Sequence, residues 1–288
     1  MSQLVYNSSY QSTQLPTNLD GFFEYFINLE KPCSAILILP TGKFVKWAKK
    51  RFCRLYFNTK QLPTPPLHFF RLNDFAKKCL QELAPTTKFH FLSEAGVLSL
   101  MEDAIRKIEI SYFKKKDGSV SYNVLQKITD IIIGLKEDGI LPDSMTDELT
   151  ARQNILTADI RFEEISKIYF QYNKLLSDKY LDETSVYYKI LELIEENPNG
   201  LNNLSFYKNE SLIFFSGFTE FKLPEAKFVS QFTNCRIPTL INIDYCSLSG
   251  PQIQSLPDNV RRLVKEGHNQ QIKIGDNKSG LISEFIRQ

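Results

Sequence analysis

A chain of 288 residues, 42% hydrophobic and 24% charged, can bury a large core and is long enough for two domains or for one domain carrying a sizeable insertion. Its 35 Lys and Arg stand against 33 Asp and Glu, and a formal charge of +2 is too small to argue for nucleic acid from the total, so any basic surface has to be local. The five cysteines, Cys33, Cys53, Cys79, Cys235 and Cys246, are odd in number, scattered and without a C-x-x-C pair, and with three histidines they support neither a disulfide framework nor a zinc site. Residues 1–10 have no basic start and no apolar core, and no stretch approaches a membrane span, so a reduced cytoplasm is the expected location. The 22 Phe and 13 Tyr suit a large core and also stacking surfaces.

In chain order, Leu4-Val5-Tyr6 is a short strand candidate, and the polar stretch Asn7 to Thr17 after it reads as a loop. A nucleotide-binding P-loop belongs at such a place, yet Asn7 to Gln14 contains neither Gly nor Lys, the residues that close on phosphates and meet their charge. Asn18 or Asp20 is placed to cap a helix running to about Leu29, with Leu19, Phe22, Phe23, Phe26 and Ile27 on one face. Ala35-Ile36-Leu37-Ile38-Leu39 then has no polar member and is closed by Pro40-Thr41-Gly42-Lys43. Such a run describes a parallel strand buried on both faces. Ligands of open α/β sheets gather outside the carboxyl ends of strands, which singles out Thr41, Gly42 and Lys43. From Lys43 to about Phe57 the period is helical. Phe44, Trp47, Ala48, Phe52 and Leu55 form the apolar stripe, and Lys43, Lys46, Lys50 and Arg54 lie on another face. That basic face is read either as an ordinary solvated surface or as a face that tracks phosphates. After Pro63 to Pro66, Leu67-His68-Phe69-Phe70 is a second strand and Asn73 to Leu83 a helix, completing a βαβα pattern with a right-handed crossover and a parallel sheet.

Between about Pro85 and Gly200 the periodicity is helical throughout, with helices after Ser93, across Val124 to Leu135, from Thr157 to Leu176 and from Asp182 to Ile194. Strand character returns at Ser211 to Phe218, Ile237 to Ile243 and Gln271 to Ile274. Pro224 is expected in the first turn of a helix between the first two, and a further helix is expected around Asp258 to Lys265. The chain ends within a helical pattern, Leu281 to Arg287, as a fragment of a longer protein is expected to do.

Catalytic patterns are weak. Glu220-Phe221-Lys222 has the E-x-K spacing of metal-dependent nucleases, but the preceding strand offers Ser216 and Gly217 where such sites carry an Asp. Ser216-Gly217 is no nucleophile elbow, and His90, between Phe89 and Phe91, reads as a partly buried structural residue. No catalytic residue, metal ligand or cofactor is expected; the residues point to binding.

The order of these segments resembles the amino-terminal, helicase-like region of AddB-type subunits of the AddAB and RexAB helicase–nucleases, a group that includes PD-(D/E)xK nuclease-family proteins. Ile36 to Phe44 is similar to motif Ia of superfamily 1 helicases, and Phe70-Arg71-Leu72-Asn73-Asp74-Phe75-Ala76 to a segment that follows the next strand in the family. Leu135 to Pro142 and Ile168 to Tyr172 resemble segments of the family's helical insertion. Leu212 to Glu225 resembles its Walker B region with Ser216 in place of the Asp. The likeness spans most of residues 19 to 245 and departs from the family at the absent Walker A loop and at Ser216.

The resemblance implies an α/β fold, a RecA-like, P-loop NTPase-like parallel sheet with an all-helical inserted subdomain, equivalent to helicase subdomains 1A and 1B. Residues 1–84 and 201–288 would form the discontinuous sheet domain and 85–200 the insertion. Without a phosphate cradle or a metal carboxylate the chain is expected to hydrolyse no ATP, and the family's exonuclease domain lies beyond it. What remains is a DNA-binding and scaffold region of a DNA repair or recombination enzyme. Thr41, Gly42 and Lys43 would contact a single-stranded backbone, Lys46, Lys50 and Arg54 would add sequence-independent attraction, and an AddA-type helicase subunit would be the partner. The alternative is a protein-interaction scaffold that docks the helicase subunit and touches no DNA.

Overall fold

The structure, a computed structural model, describes residues 2–6, 19–28, 34–61, 67–115, 117–145, 160–176, 180–205, 210–219, 221–232, 235, 239–243 and 270–274. The chain divides into two compact units, Met1–Leu83 with Ile190–Gln288, and Ala84–Lys189. The first is α/β. Its sheet comprises β1 (Ser2–Tyr6), β2 (Ser34–Leu39), β3 (Leu67–Arg71), β6 (Glu210–Phe218), β7 (Thr239–Ile243) and β8 (Gln270–Ile274), in the order β3-β2-β6-β7-β1-β8. β4 (His90–Phe91) and β5 (Tyr180–Leu181) belong to the second unit.

Strands β3, β2, β6 and β7 are mutually parallel. β2 lies between β3 and β6, and all six of its residues are buried, which is why its sequence carries no alternation. Ala35, Leu37 and Leu39 face α1 (Leu19–Asn28) and α2 (Gly42–Lys60), forming one cluster with Phe22, Phe23, Phe44, Ala48, Phe52, Leu212 and Phe214. Phe22 stacks on Phe214 with ring centroids 4.6 Å apart. Across the sheet, Phe215 meets Phe232, and Phe232 meets Phe75 of α3 (Leu72–Leu83). Cover on both faces is the condition under which a parallel sheet is stable.

β1 pairs antiparallel with both β7 and β8, so Tyr6 lies opposite Thr239, the first residue of β7. The chain therefore leaves β1 at the amino edge of the parallel strands, opposite the edge that carries Thr41. A strand feeding a phosphate cradle beside Thr41 would have to run the other way. Residues 7–17, the place such a cradle would occupy, lie outside the described residues, as do Glu220 and the helices expected near 258–265 and 281–287.

The second unit is built on α4 (Glu94–Arg106), α5 (Tyr122–Glu137), α6 (Ile160–Leu176) and the start of α7 (Glu183–Glu196). Met101, Ala104 and Ile105 of α4 pack with Leu125, Ile128 and Ile132 of α5 and Ile165, Ile168, Tyr169 and Tyr172 of α6. The expectation of an all-helical insertion needs one correction, since β4 and β5 form a two-residue parallel ladder here. A pairing so short, between residues 90 apart, has no period to read. His90 is likewise exposed, with its ring stacked on Tyr180 at 5.3 Å, because a ladder this small has no second layer to cover it. Ile131, within the helical pattern of Val124 to Leu135, is exposed as well.

Two buried carboxylates hold this unit in register. Asp182 caps α7 through the Ser185 N–H at 2.7 Å and accepts from Lys136 Nζ at 2.7 Å and the Tyr172 hydroxyl at 2.9 Å. Burial pushes its pKa up, but the Lys136 ammonium and these hydrogen bonds outweigh burial and hold the carboxyl below its usual range. Removing only one partner of such a pair costs about 3–5 kcal/mol, because the other charge is then stranded. Glu164 of α6 accepts from the backbone N–H groups of Ser111, Tyr112 and Phe113 at 2.6, 2.9 and 3.3 Å and from the Ser111 hydroxyl. It fixes the connection between α4 and α5.

Candidate nucleic-acid interface

Helix α2 starts immediately beyond the carboxyl end of β2, and Thr41 is what starts it. With extended backbone (φ −130°, ψ 151°) its Oγ1 accepts the Phe44 N–H at 3.2 Å, and its carbonyl accepts the Val45 N–H at 2.9 Å. The Thr41 hydroxyl is thus already the N-cap, and two of the first-turn donors are taken. The turn also presents the positive end of the helix dipole, which favours an anion.

Along α2, Phe44, Ala48, Phe52 and Tyr56 are buried against the sheet and α1, with Trp47 and Leu55 partly so. Arg51 is committed elsewhere: it grips Asp20 of α1 with two hydrogen bonds of 2.8 and 2.7 Å, and its guanidinium lies 5.4 Å from the centre of the Trp47 ring. Those contacts fix the rotation of the helix. Lys43, Lys46, Lys50 and Arg54 are consequently exposed, and Lys46, Lys50 and Arg54 form no ion pair among the described residues. At 3.6 residues per turn the four fall within an arc of about 80°, centred opposite the buried stripe. The structure therefore brings the four basic residues into one outward row.

Three neighbours of this row escape a reading of the sequence. Phe57, 64% exposed, continues it at i+3 from Arg54. Arg71, at the end of β3, approaches Gly42 so closely that a Cβ on the glycine would lie 3.4 Å from Arg71 Cδ. Its guanidinium is paired with Asp74 through two hydrogen bonds of 2.7 Å, and the bond to Arg71 holds the Asp74 carboxyl below its usual range. Gly217, in the irregular end of β6, has φ +79°, and a Cβ there would stand 2.2 Å from the Phe44 ring. A glycine inside an apolar strand is the sequence sign of such a bulge or close approach, though not of its partner.

Ser216, at the position where the resemblance seeks a metal carboxylate, is fully buried, and its hydroxyl has no hydrogen-bond partner among the described residues. No group of three or more His, Cys, Asp or Glu among the described residues has the geometry to hold a metal ion. Burial pushes the Cys79 thiol well up and that of Cys235 up to about 12, leaving both protonated at neutral pH. No helix among the described residues is long and apolar enough to cross a membrane. Compared with protein-family models and with curated proteins, the chain matches none.

Proposed function

We propose that this chain binds single-stranded DNA as the helicase-like, ATPase-inactive region of an AddB-type DNA repair or recombination helicase–nuclease. One observation carries the reading: an outward row of Lys43, Lys46, Lys50 and Arg54 starts at the carboxyl edge of a central parallel strand, with the capped helix end aimed along the same edge. Phosphates attract such a row regardless of sequence. A RecA-like sheet, split by the helical unit as subdomain 1A is by 1B, is the fold this function would use. The four parallel strands and the helical excursion between β3 and β6 are compatible with it. An inactive motor fits the buried Ser216 and the reversed β1.

Fluorescence anisotropy of a labelled oligonucleotide tests this directly. The chain should bind weakly at low salt and lose affinity steeply as salt rises, and Lys43→Glu with Lys46→Glu should weaken binding alike for all base sequences. Binding that is unchanged in the double variant overturns the proposal.

A second reading, the scaffold that docks an AddA-type helicase subunit, draws on a different observation. Of the nine exposed large hydrophobic residues described, eight lie in the helical unit: Tyr112, Tyr122, Ile131, Ile140, Leu141, Ile160, Phe170 and Tyr180. An apolar interface there would hardly respond to salt, which separates the two readings in one titration.

A further inference from the structure

The ninth exposed hydrophobic is Phe57, the most exposed of all at 64%. A single exposed apolar side chain ordinarily needs no explanation. Phe57 differs in where it stands. It is the fifth member of the row Lys43, Lys46, Lys50, Arg54, Phe57, whose spacings of three, four, four and three keep all five on one helix face. The packing face of α2 is already complete without it, since Tyr56 fills the last core position. Phe57 makes no ring contact with any described residue. Its backbone is nevertheless held, because its carbonyl accepts the N–H of Gln61 at 2.9 Å, where Gln61 closes the helix in the left-handed conformation (φ 53°).

We infer that Phe57 is a stacking platform for an unpaired base of the single strand whose phosphates lie along Lys43 to Arg54; the inference rests on the proposed function of α2. The row runs for about 21 Å, enough for several nucleotides, at 1.5 Å of rise per residue. Cations following a backbone and an aromatic ring meeting a base are the two elements of sequence-tolerant single-strand binding. The ring's exposure and the absence of an acidic residue among the five favour a polyanion with aromatic faces over an acidic peptide, which would satisfy the cations and leave the ring in water. No base identity is selected, since every base offers a π face.

The test uses the full chain and three labelled ligands of equal length: a thymine oligonucleotide, the same backbone with abasic residues, and a duplex. Phe57→Ala should weaken binding to the thymine strand by about 5- to 150-fold, as loss of one stacked base does, and leave abasic and duplex binding unchanged. Phe57→Trp should restore it. Equal loss on thymine and abasic strands would mean that the ring acts through the fold or the phosphates, and overturns the inference. So would unaltered thymine binding, or an effect of Phe57→Ala confined to an acidic peptide such as polyglutamate. These failures differ from failure of the proposed function, in which the wild-type chain itself binds no oligonucleotide, or in which Lys43→Glu with Lys46→Glu has no effect.

Discussion

Replacing Gly217 with Ala tests the contact that seats the first turn of α2. Two separate costs follow from the geometry. The backbone at φ +79° is one that a residue with a Cβ adopts at about 1–2 kcal/mol. The new Cβ would also lie 2.2 Å from Phe44 Cε1 and 3.1 Å from Cδ1, so the ring, 5% exposed between α1, α2 and the sheet, must move. Overpacking of this kind adds about 1–3 kcal/mol, so the whole change should cost about 2–5 kcal/mol. The chain has a single tryptophan, Trp47, whose ring centre is 5.3 Å from that of Phe44. Its fluorescence during urea unfolding therefore reports on this unit and not on the helical one. Phe44→Ala separates the two costs. In that background, Gly217→Ala should retain only the backbone part, giving a coupling of about 1–3 kcal/mol between the two sites. A Gly217→Ala protein within about 0.5 kcal/mol of wild type, a difference typical of innocuous surface changes, would refute the reasoning. So would equal costs in both backgrounds.

Thr41→Ala removes the oxygen that accepts the Phe44 N–H and should cost about 1 kcal/mol by Trp47-monitored unfolding, while Thr41→Ser should cost little. Burial pushes the Glu164 carboxyl up, but its backbone N–H donors outweigh burial and hold its pKa below the usual value. Its contribution is thus complete above the unfolded value of about 4.3 and is lost as pH falls through the folded value. The stability deficit of Glu164→Gln, measured by circular dichroism during denaturation, should accordingly be largest at neutral pH and shrink below about pH 4.3. A constant deficit would assign Glu164 a packing role alone. Calorimetric titration with ATP and magnesium should be flat, and micromolar binding would overturn the inactive-motor reading.

The parts of this structure that can be read from the sequence are those whose pattern is local. β2 shows itself because burial on both faces removes every polar residue from Ala35 to Leu39, and α2 because its core stripe and its basic row have different phases. The direction of β1 leaves no such trace: five residues alternate in the same way whichever way they run. The ladder of His90–Phe91 with Tyr180–Leu181 is too short to have a period, and the approach of Phe44 to Gly217 joins residues far apart in sequence. Phe57 was hidden for a different reason. Its place on the face of the cations follows from counting residues, but an aromatic at helical spacing is ordinarily read as core, and only the neighbouring Tyr56 filling that position shows otherwise.

Ser216 has a consequence for how sequences of this kind can change. Its surroundings are closed to water and already leave one hydroxyl without a partner, and Gly217 beside it has no room for a side chain. An Asp arising at 216 by a single substitution would meet no solvent, and an uncompensated buried carboxylate is far costlier than a stranded hydroxyl. A side chain at 217 would require the Phe44 ring to retreat first, which loosens the first turn of the helix that carries the basic row. Room for a side chain at 217 and retention of the α2 face thus draw on the same few side chains, so one is reached only at the expense of the other.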